Sequence, residues 1–148
     1  MPSDYDDVEQ NRNKHLEMIQ AVVARLAGNS FLVRGWALTV SAAFFGFAIT
    51  QDDARLALVG LLPITLFFAL DAYFLQGERL FRVLYEEVRR GESDIKPFFL
   101  NATSEEFRKK MTAEGKDVSW HATTWRPMLL VFYVGLILIC VAVAIATK

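Results

Sequence analysis

The sequence predicts an all-α integral membrane protein in which three transmembrane helices carry a cytoplasmic helical bundle. The segments 31–50, 55–75 and 127–147 have the length of about 20 residues that an α-helix needs to cross a bilayer. None of them holds more than two charged residues. Hydrophobic residues make up 53% of the 148 residues and the mean hydropathy is +0.26, which is high for a soluble protein. We therefore expect a single membrane domain over residues 1–148.

The distribution of Lys and Arg predicts how these three spans are oriented. The turn after the first span holds only Arg55, and only Lys148 follows the third span. Four cations precede or border the first span, and ten separate the second span from the third. Because cytoplasmic loops carry an excess of Lys and Arg, the N-terminus and the middle segment should face the cytoplasm, and the C-terminus should lie outside.

Segment 8–28 should form an amphipathic helix before the first span. Its apolar residues recur at helical spacing opposite charged ones; they are Val8, Leu16, Ile19, Val22, Val23 and Leu26. We expect this face to pack on the cytoplasmic part of the second helix. The alternative is a helix that lies flat on the lipid headgroups, although such helices usually carry more Lys and Arg. Gly28-Asn29-Ser30 should then interrupt the chain, with Ser30 as the N-cap of the first span.

Small residues mark one face of the first span. They are Gly35, Ala42 and Gly46, of which the last two have the small-xxx-small spacing that lets membrane helices approach closely. In membranes such a pattern mostly indicates helix packing, either within the chain or between subunits. We predict one of these two roles for it.

The first two spans should form a hairpin around Gln51-Asp52-Asp53. With its midpoint between the two aspartates, Arg34 and Asp71 each lie 18.5 positions away, and so at the same depth in antiparallel helices. Since an ionisable group inside a membrane usually has a partner, we expect an ion pair that clamps the helices together near the cytoplasmic face. The alternative is that Asp71 serves as a functional proton or substrate site. Pro63 should kink the second span.

The second span should continue without a break as a cytoplasmic stem to residue 90. Charged residues alternate there with apolar ones at helical spacing, and Gly91 suits the position just after a helix end. A short helix over 104–113 should follow, because Thr103-Ser-Glu-Glu106 fits a capping box.

Basic residues on the stem and on the short helix are candidate contacts for a cytoplasmic partner or for anionic lipid. These residues are Arg79, Arg82, Arg108, Lys109 and Lys110. Trp120 and Trp125 should lie at the membrane interface before the third span, which Pro127 can begin as its first helical residue.

Residues that could perform chemistry are sparse. Neither His15 nor His121 has a second His, Cys or acid at the spacing of metal ligands, and no Gly-rich phosphate loop or catalytic motif is present. The cations of the middle segment are diluted by acids, which argues against nucleic-acid binding. The sequence predicts no enzymatic activity, no cofactor and no nucleic-acid partner.

The segment from Leu70 to Arg89, together with Asn29-Ser-Phe31, resembles small bacterial membrane proteins of phage defence. These are similar to SLATT-type effector domains and to octameric, ring-interacting membrane proteins, although SLATT domains have two spans and this chain has a third. The resemblance implies a homo-oligomer of six or more copies, with an octamer as one option, in the bacterial inner membrane. It also implies that the protein opens or disrupts the bilayer of an infected cell, with a phage-derived protein as the candidate trigger.

Two other functions fit the same sequence. One is a membrane scaffold or adaptor whose cytoplasmic bundle recruits a soluble partner. The other is a small channel or transporter. In every case, three spans are too few for one chain to enclose a pore, so conduction would need several copies around an axis.

Overall fold

The computed structural model describes residues 4–91, 95–116 and 126–147. Over these ranges the chain is helical and has no strand, which confirms the predicted all-α class. The helices are α1 (Asp4–Gln51), α2 (Ala54–Val59), α3 (Leu61–Arg90), α4 (Glu105–Ala113) and α5 (Pro127–Ala146).

The chain groups into two compact units, where the sequence predicts one domain over 1–148. We call the first the amphipathic unit, which consists of Met1–Gly28 and Leu75–Ser119. The second is the apolar unit, which consists of Asn29–Phe74 and Trp120–Lys148.

Helix α1 runs through Gly28-Asn29-Ser30, so the predicted break at this tripeptide is wrong. Glycine in a helix costs only about 1 kcal/mol relative to alanine, and contacts on both sides of the tripeptide hold the helix. Leu26 lies against Gly77 of α3, where an added Cβ would be 3.4 Å from Leu26 Cδ1. Ser30 is buried and donates a hydrogen bond from its side chain to Asp71. The predicted N-cap role of Ser30 is therefore also wrong.

The hairpin turn lies at Asp52 and Asp53. Asp52 has a positive φ of 52°, and the Asp53 carboxylate caps α2 by accepting a hydrogen bond from the backbone N–H of Arg55 at 2.9 Å. Aspartate suits both positions because its short side chain tolerates the left-handed region and satisfies an orphan N–H at a helix start.

The helix predicted from 55 to 90 is interrupted at Gly60, between α2 and α3. Pro63 explains the position of this interruption, because a proline removes the hydrogen bond to the carbonyl four residues earlier and its ring clashes with that carbonyl. The carbonyl concerned is that of Val59, the last residue of α2. Gly60 also permits a close approach of α1, since an added Cβ would lie 3.2 Å from Phe44 Cβ.

The amphipathic unit has its own hydrophobic core. Residues of α1, α3, α4 and the segment before α4 build it; they are Ile19, Leu80, Phe81, Leu84, Val88, Ala102, Phe107 and Met111. Helix α3 ends at Arg90, and Gly91 follows with a φ of +69°, as the sequence predicts. This core places the stem residues of α3 at the centre of the unit.

Helix α4 is capped at both ends by local hydrogen bonds. Its N-cap is Ser104, whose Oγ accepts from Phe107 N at 3.3 Å; this is one residue later than the capping box from Thr103 implies. At the other end Gly115 has a φ of +77°. The backbone N–H groups of Gly115 and Lys116 donate to the carbonyls of Thr112 and Met111, which is the Schellman arrangement.

Three helical stretches are long and apolar enough to cross a membrane by length and composition. They are Asp7–Gln51, Ala54–Arg90 and Pro127–Ala146, and between 22% and 28% of each apolar window is buried. Most of their apolar side chains therefore face outward. This pattern is compatible with a membrane location.

Candidate functional site

The candidate site of the apolar unit is built around Asp71 of α3. Its side chain is 0% exposed in a unit whose other buried residues are mostly apolar. Burial of a carboxylate without partners would cost several kcal/mol. The surroundings of Asp71 must therefore supply positive charge and hydrogen-bond donors.

Helix α1 supplies both. Arg34 Nε donates to Asp71 Oδ2 at 2.7 Å, and Arg34 Nη2 lies 3.5 Å from Oδ1. Ser30 Oγ donates to Oδ1. Residues four apart lie on the same face of a helix, so Ser30 and Arg34 reach one carboxylate together. The ion pair forms between the two residues that the hairpin register brings together. Ser30 is a third residue of this site, whereas the sequence predicted it to be the N-cap of the first span.

Helix α5 contributes Tyr133, which is 2% exposed. Its hydroxyl donates to the backbone carbonyl of Phe67 at 3.1 Å, and its ring meets Phe68 edge to face, with centroids 5.3 Å apart. Tyr133 also interacts electrostatically with Asp71 and Arg34. The polar cluster of Ser30, Arg34, Asp71 and Tyr133 therefore joins α1, α3 and α5.

The chemistry available to this cluster favours a structural role. Both oxygens of Asp71 accept hydrogen bonds from α1, so the carboxylate is held in place by Ser30 and Arg34. Within the described ranges, no group of three or more His, Cys, Asp or Glu side chains could hold a metal ion. What the arrangement does physically is hold three helices together around a neutralised charge.

The predicted basic residues are divided between two helices. Arg79 and Arg82 line a groove of about 270 Å³ on α3 together with Arg90 and Lys116, whereas Arg108, Lys109 and Lys110 belong to α4. Two of these cations already have acidic neighbours: Arg82 pairs with Glu78 at 2.8 Å, and Lys109 pairs with Glu105 at 2.9 Å.

Lys116 and Glu87 form a bridge that sequence reasoning missed. Lys116 Nζ donates to Glu87 Oε1 at 2.5 Å and to Glu114 Oε2 at 3.0 Å. The hydrogen bond to Glu87 raises the pKa of Lys116 above its usual value, and Glu114 adds to this effect while burial opposes it. A signal was present in the sequence, because Glu87 lies on the same helical face as Leu80 and Leu84. An acid at such a position needs a partner.

Gly35, Ala42 and Gly46 lie on an exposed face of α1. Nothing lies within 4 Å of a Cβ added at Gly35 or Gly46. The face of α1 that packs within the chain is a different one, formed by Ser30, Val33, Ala37, Ser41, Phe45 and Ala48. Packing of the small residues within the described part of the chain is therefore excluded, and packing between subunits stays a prediction.

The remaining predicted residues fall into two groups. His15 is 3% exposed and its Nε2 hydrogen-bonds the carbonyl of Phe99 at 2.8 Å, so it serves the core of the amphipathic unit. Trp120, Trp125 and His121 lie outside the described residues.

Comparisons with family models, with curated proteins and with solved structures give no match to this chain. What the protein does must therefore be inferred from its own residues.

Proposed function

We propose that this protein is a homo-oligomeric effector of a bacterial inner membrane that opens or disrupts the bilayer in response to phage infection, without catalysing a reaction. The observation that carries the oligomeric part is the exposed small-residue face of α1, formed by Gly35, Ala42 and Gly46. Small-xxx-small faces drive association of membrane helices because the backbones can approach closely. The antiviral part rests on the resemblance of Leu70–Arg89 and Asn29–Phe31 to defence proteins.

Assembly is needed for any conduction. The interior of the apolar unit is filled by side chains that are at most 1% exposed, such as Ala37, Ile64 and Leu129. A single chain packed in this way leaves its apolar surface to lipid or to further copies. Several copies around an axis could enclose a lumen, as closed rings of a heterologous interface do.

The amphipathic unit is the part on which a trigger would act. Its excess of Lys and Arg over the turn after the first span and the C-terminus supports a cytoplasmic position by the positive-inside rule, with the N-terminus inside and the C-terminus outside. The basic residues of its surface, among them Arg79 and Arg82, are candidate contacts for a protein partner such as a phage-derived trigger.

The oligomeric state tests this proposal directly. We would reconstitute the protein in nanodiscs and measure its mass by native mass spectrometry, and we expect a closed ring of six or more copies. Ala42→Leu should reduce the copy number, because the larger side chain holds α1 helices apart. Ala142→Leu is the matched control, since Ala142 is also an exposed alanine, on α5. A monomer or dimer for the unaltered protein, with or without the trigger, would contradict the proposal.

Membrane permeability provides the second measurement. Cells that express the protein together with its trigger should lose membrane potential and take up a normally excluded dye. If both barriers stay intact while the protein is present in the membrane, the effector function is refuted.

A membrane adaptor is the second candidate function. The observation in its favour is the separate hydrophobic core of the amphipathic unit, which makes that unit a stable surface for a soluble partner. This function predicts a stoichiometric partner on affinity purification and no loss of membrane potential. A small channel or transporter that uses Asp71 is less favoured, because Ser30 and Arg34 occupy the Asp71 carboxylate.

A further inference from the structure

Two exposed side chains of the apolar unit have both an aromatic ring and a hydrogen-bond donor. Trp36 is 62% exposed and Tyr73 is 60% exposed. Trp36 follows Arg34 by two residues and Tyr73 follows Asp71 by two residues, so in antiparallel helices they lie on opposite sides of the ion pair. Each lies only about 3 Å from the level of the ion pair along the helix axis.

Such residues mark the boundary between headgroups and hydrocarbon in membrane proteins. Trp and Tyr collect there because the ring is apolar while its N–H or O–H group stays hydrated. Beyond Trp36 toward the turn, the exposed large residues are apolar; they include Leu38, Phe47, Ile49, Leu62 and Leu66. Exposed apolar side chains also lie within one turn on the other side of the pair, at Phe31 and Leu32 of α1, whereas Tyr73 is the last exposed large hydrophobic residue of α3. The pair and its two amphipathic aromatic residues thus lie near the end of the exposed apolar surface.

Arg34 has hydrogen-bond donors to spare at this level. A guanidinium has five N–H groups. Two of them, one on Nε and one on Nη2, donate to Asp71. The other three have no partner among the described residues. The two N–H groups of Nη1 are not enclosed, because the buried polar atoms without a partner in those ranges are Ser41 Oγ and Gln76 Nε2, and the Arg34 side chain is 17% exposed.

We propose that the Arg34–Asp71 pair lies at the cytoplasmic boundary between headgroups and hydrocarbon, and that the outward N–H groups of Arg34 bind the phosphate of a phospholipid. This inference rests on the membrane insertion in the proposed function. A planar guanidinium held in a fixed orientation matches two phosphate oxygens, and Asp71 fixes that orientation. The span from Arg34 to Gln51 then covers about 26 Å, close to the hydrocarbon thickness of about 30 Å.

The charge of the pair predicts which lipid class binds. Asp71 already neutralises Arg34, so an anionic lipid would leave the site with a net negative charge. A zwitterionic headgroup brings its own ammonium group together with the phosphate, and the site remains neutral. We therefore expect a preference for phosphatidylethanolamine over phosphatidylglycerol.

Fluorescence quenching tests the depth. In a variant with Trp120→Phe and Trp125→Phe, Trp36 is the only remaining tryptophan. In vesicles, lipids brominated near the headgroup should quench Trp36 more strongly than lipids brominated near the end of the acyl chain. Stronger quenching by the deep label would overturn the proposed boundary. Absence of quenching by both labels would instead contradict membrane insertion and hence the proposed function itself.

Retention of lipid tests the phosphate site. Nanodiscs that contain phosphatidylethanolamine and phosphatidylglycerol would be disassembled in detergent, and the lipids that stay bound would be identified by native mass spectrometry. Arg34→Lys keeps a cation beside Asp71 but removes the outward fork, so retained phosphatidylethanolamine should fall about tenfold. Arg55→Lys is the matched control, because Arg55 is an exposed arginine at the opposite end of the hairpin.

A second variant covers the case in which Arg34→Lys does not fold. Arg34→Leu combined with Asp71→Leu replaces the buried pair by apolar residues, which is often neutral for stability, and it should lose phosphatidylethanolamine to the same extent. Equal retention in the unaltered protein and in these variants would overturn the proposed phosphate contact, as would retention of phosphatidylglycerol alone.

Discussion

Removal of one partner of the Arg34–Asp71 pair should destabilise the apolar unit by an amount that depends on which partner is removed. Loss of one member of a buried pair costs about 3–5 kcal/mol because the other charge stays buried. Asp71 is 0% exposed, so Arg34→Leu leaves a buried carboxylate with no cation beside it, and its cost should be near the upper value. The Arg34 side chain is 17% exposed and can turn outward, so Asp71→Leu should cost about 3 kcal/mol.

Changing both residues separates this explanation from a general loss of packing. Arg34→Leu with Asp71→Leu removes both charges, so the double variant should be more stable than either single variant. Exchange of the two residues, Arg34→Asp with Asp71→Arg, should restore part of the stability. Arg55→Leu serves as the control, because an exposed surface substitution usually changes stability by less than about 0.5 kcal/mol.

The assay is unfolding of the micelle-bound protein by a denaturing detergent, followed by circular dichroism. The free energies of the single and double variants form a double-mutant cycle. If the double variant is no more stable than the less stable of the two single variants, the Arg34–Asp71 pair does not clamp the helices. A larger cost for Asp71→Leu than for Arg34→Leu would refute the argument from exposure.

Three further predictions concern other contacts of the structure. The hydrogen bond to Glu87 raises the pKa of Lys116 above 10.5, so the bridge stabilises the fold below that pH and is lost as pH rises through the raised pKa. The melting temperature should therefore fall between neutral and strongly alkaline pH, and Lys116→Met should make this fall smaller. Gly60→Leu should destabilise by about 1–3 kcal/mol through overpacking, and an unchanged melting temperature would contradict the close helix approach. Ser104→Ala should cost about 1 kcal/mol while Thr103→Ala costs little, and the reverse order on denaturant titration would show that the cap is misassigned.

Local chemistry accounts for the elements that sequence reasoning located well. Helix α3 ends before Gly91 because glycine accepts a positive φ, and α5 begins at Pro127 because the first helical N–H has no partner to lose. The pairing of Arg34 with Asp71 follows from counting residues on either side of a short turn. The first two features depend on local sequence alone, and the third depends only on the lengths of the two helices beside the turn.

Features with distant partners could not be located in the same way. Gly28-Asn29-Ser30 has the composition of a break, yet it stays helical because Leu26 contacts Gly77 and Ser30 contacts Asp71. Pro63 predicts a kink in a continuous helix, whereas the helix is interrupted at Gly60, where α1 also approaches closely.

The sequence by itself determined the helical class, the three apolar stretches of membrane-spanning length and the register of the hairpin. Each of these follows from hydrophobic periodicity, from length or from a turn that only a few residues can form. Only the tertiary structure decided which donors surround Asp71, that Lys116 pairs with Glu87, and that the small residues of α1 remain exposed. These contacts depend on which helix faces pack against each other. That choice is made by the packing of all helices in a unit together, so it cannot be predicted from a local sequence pattern.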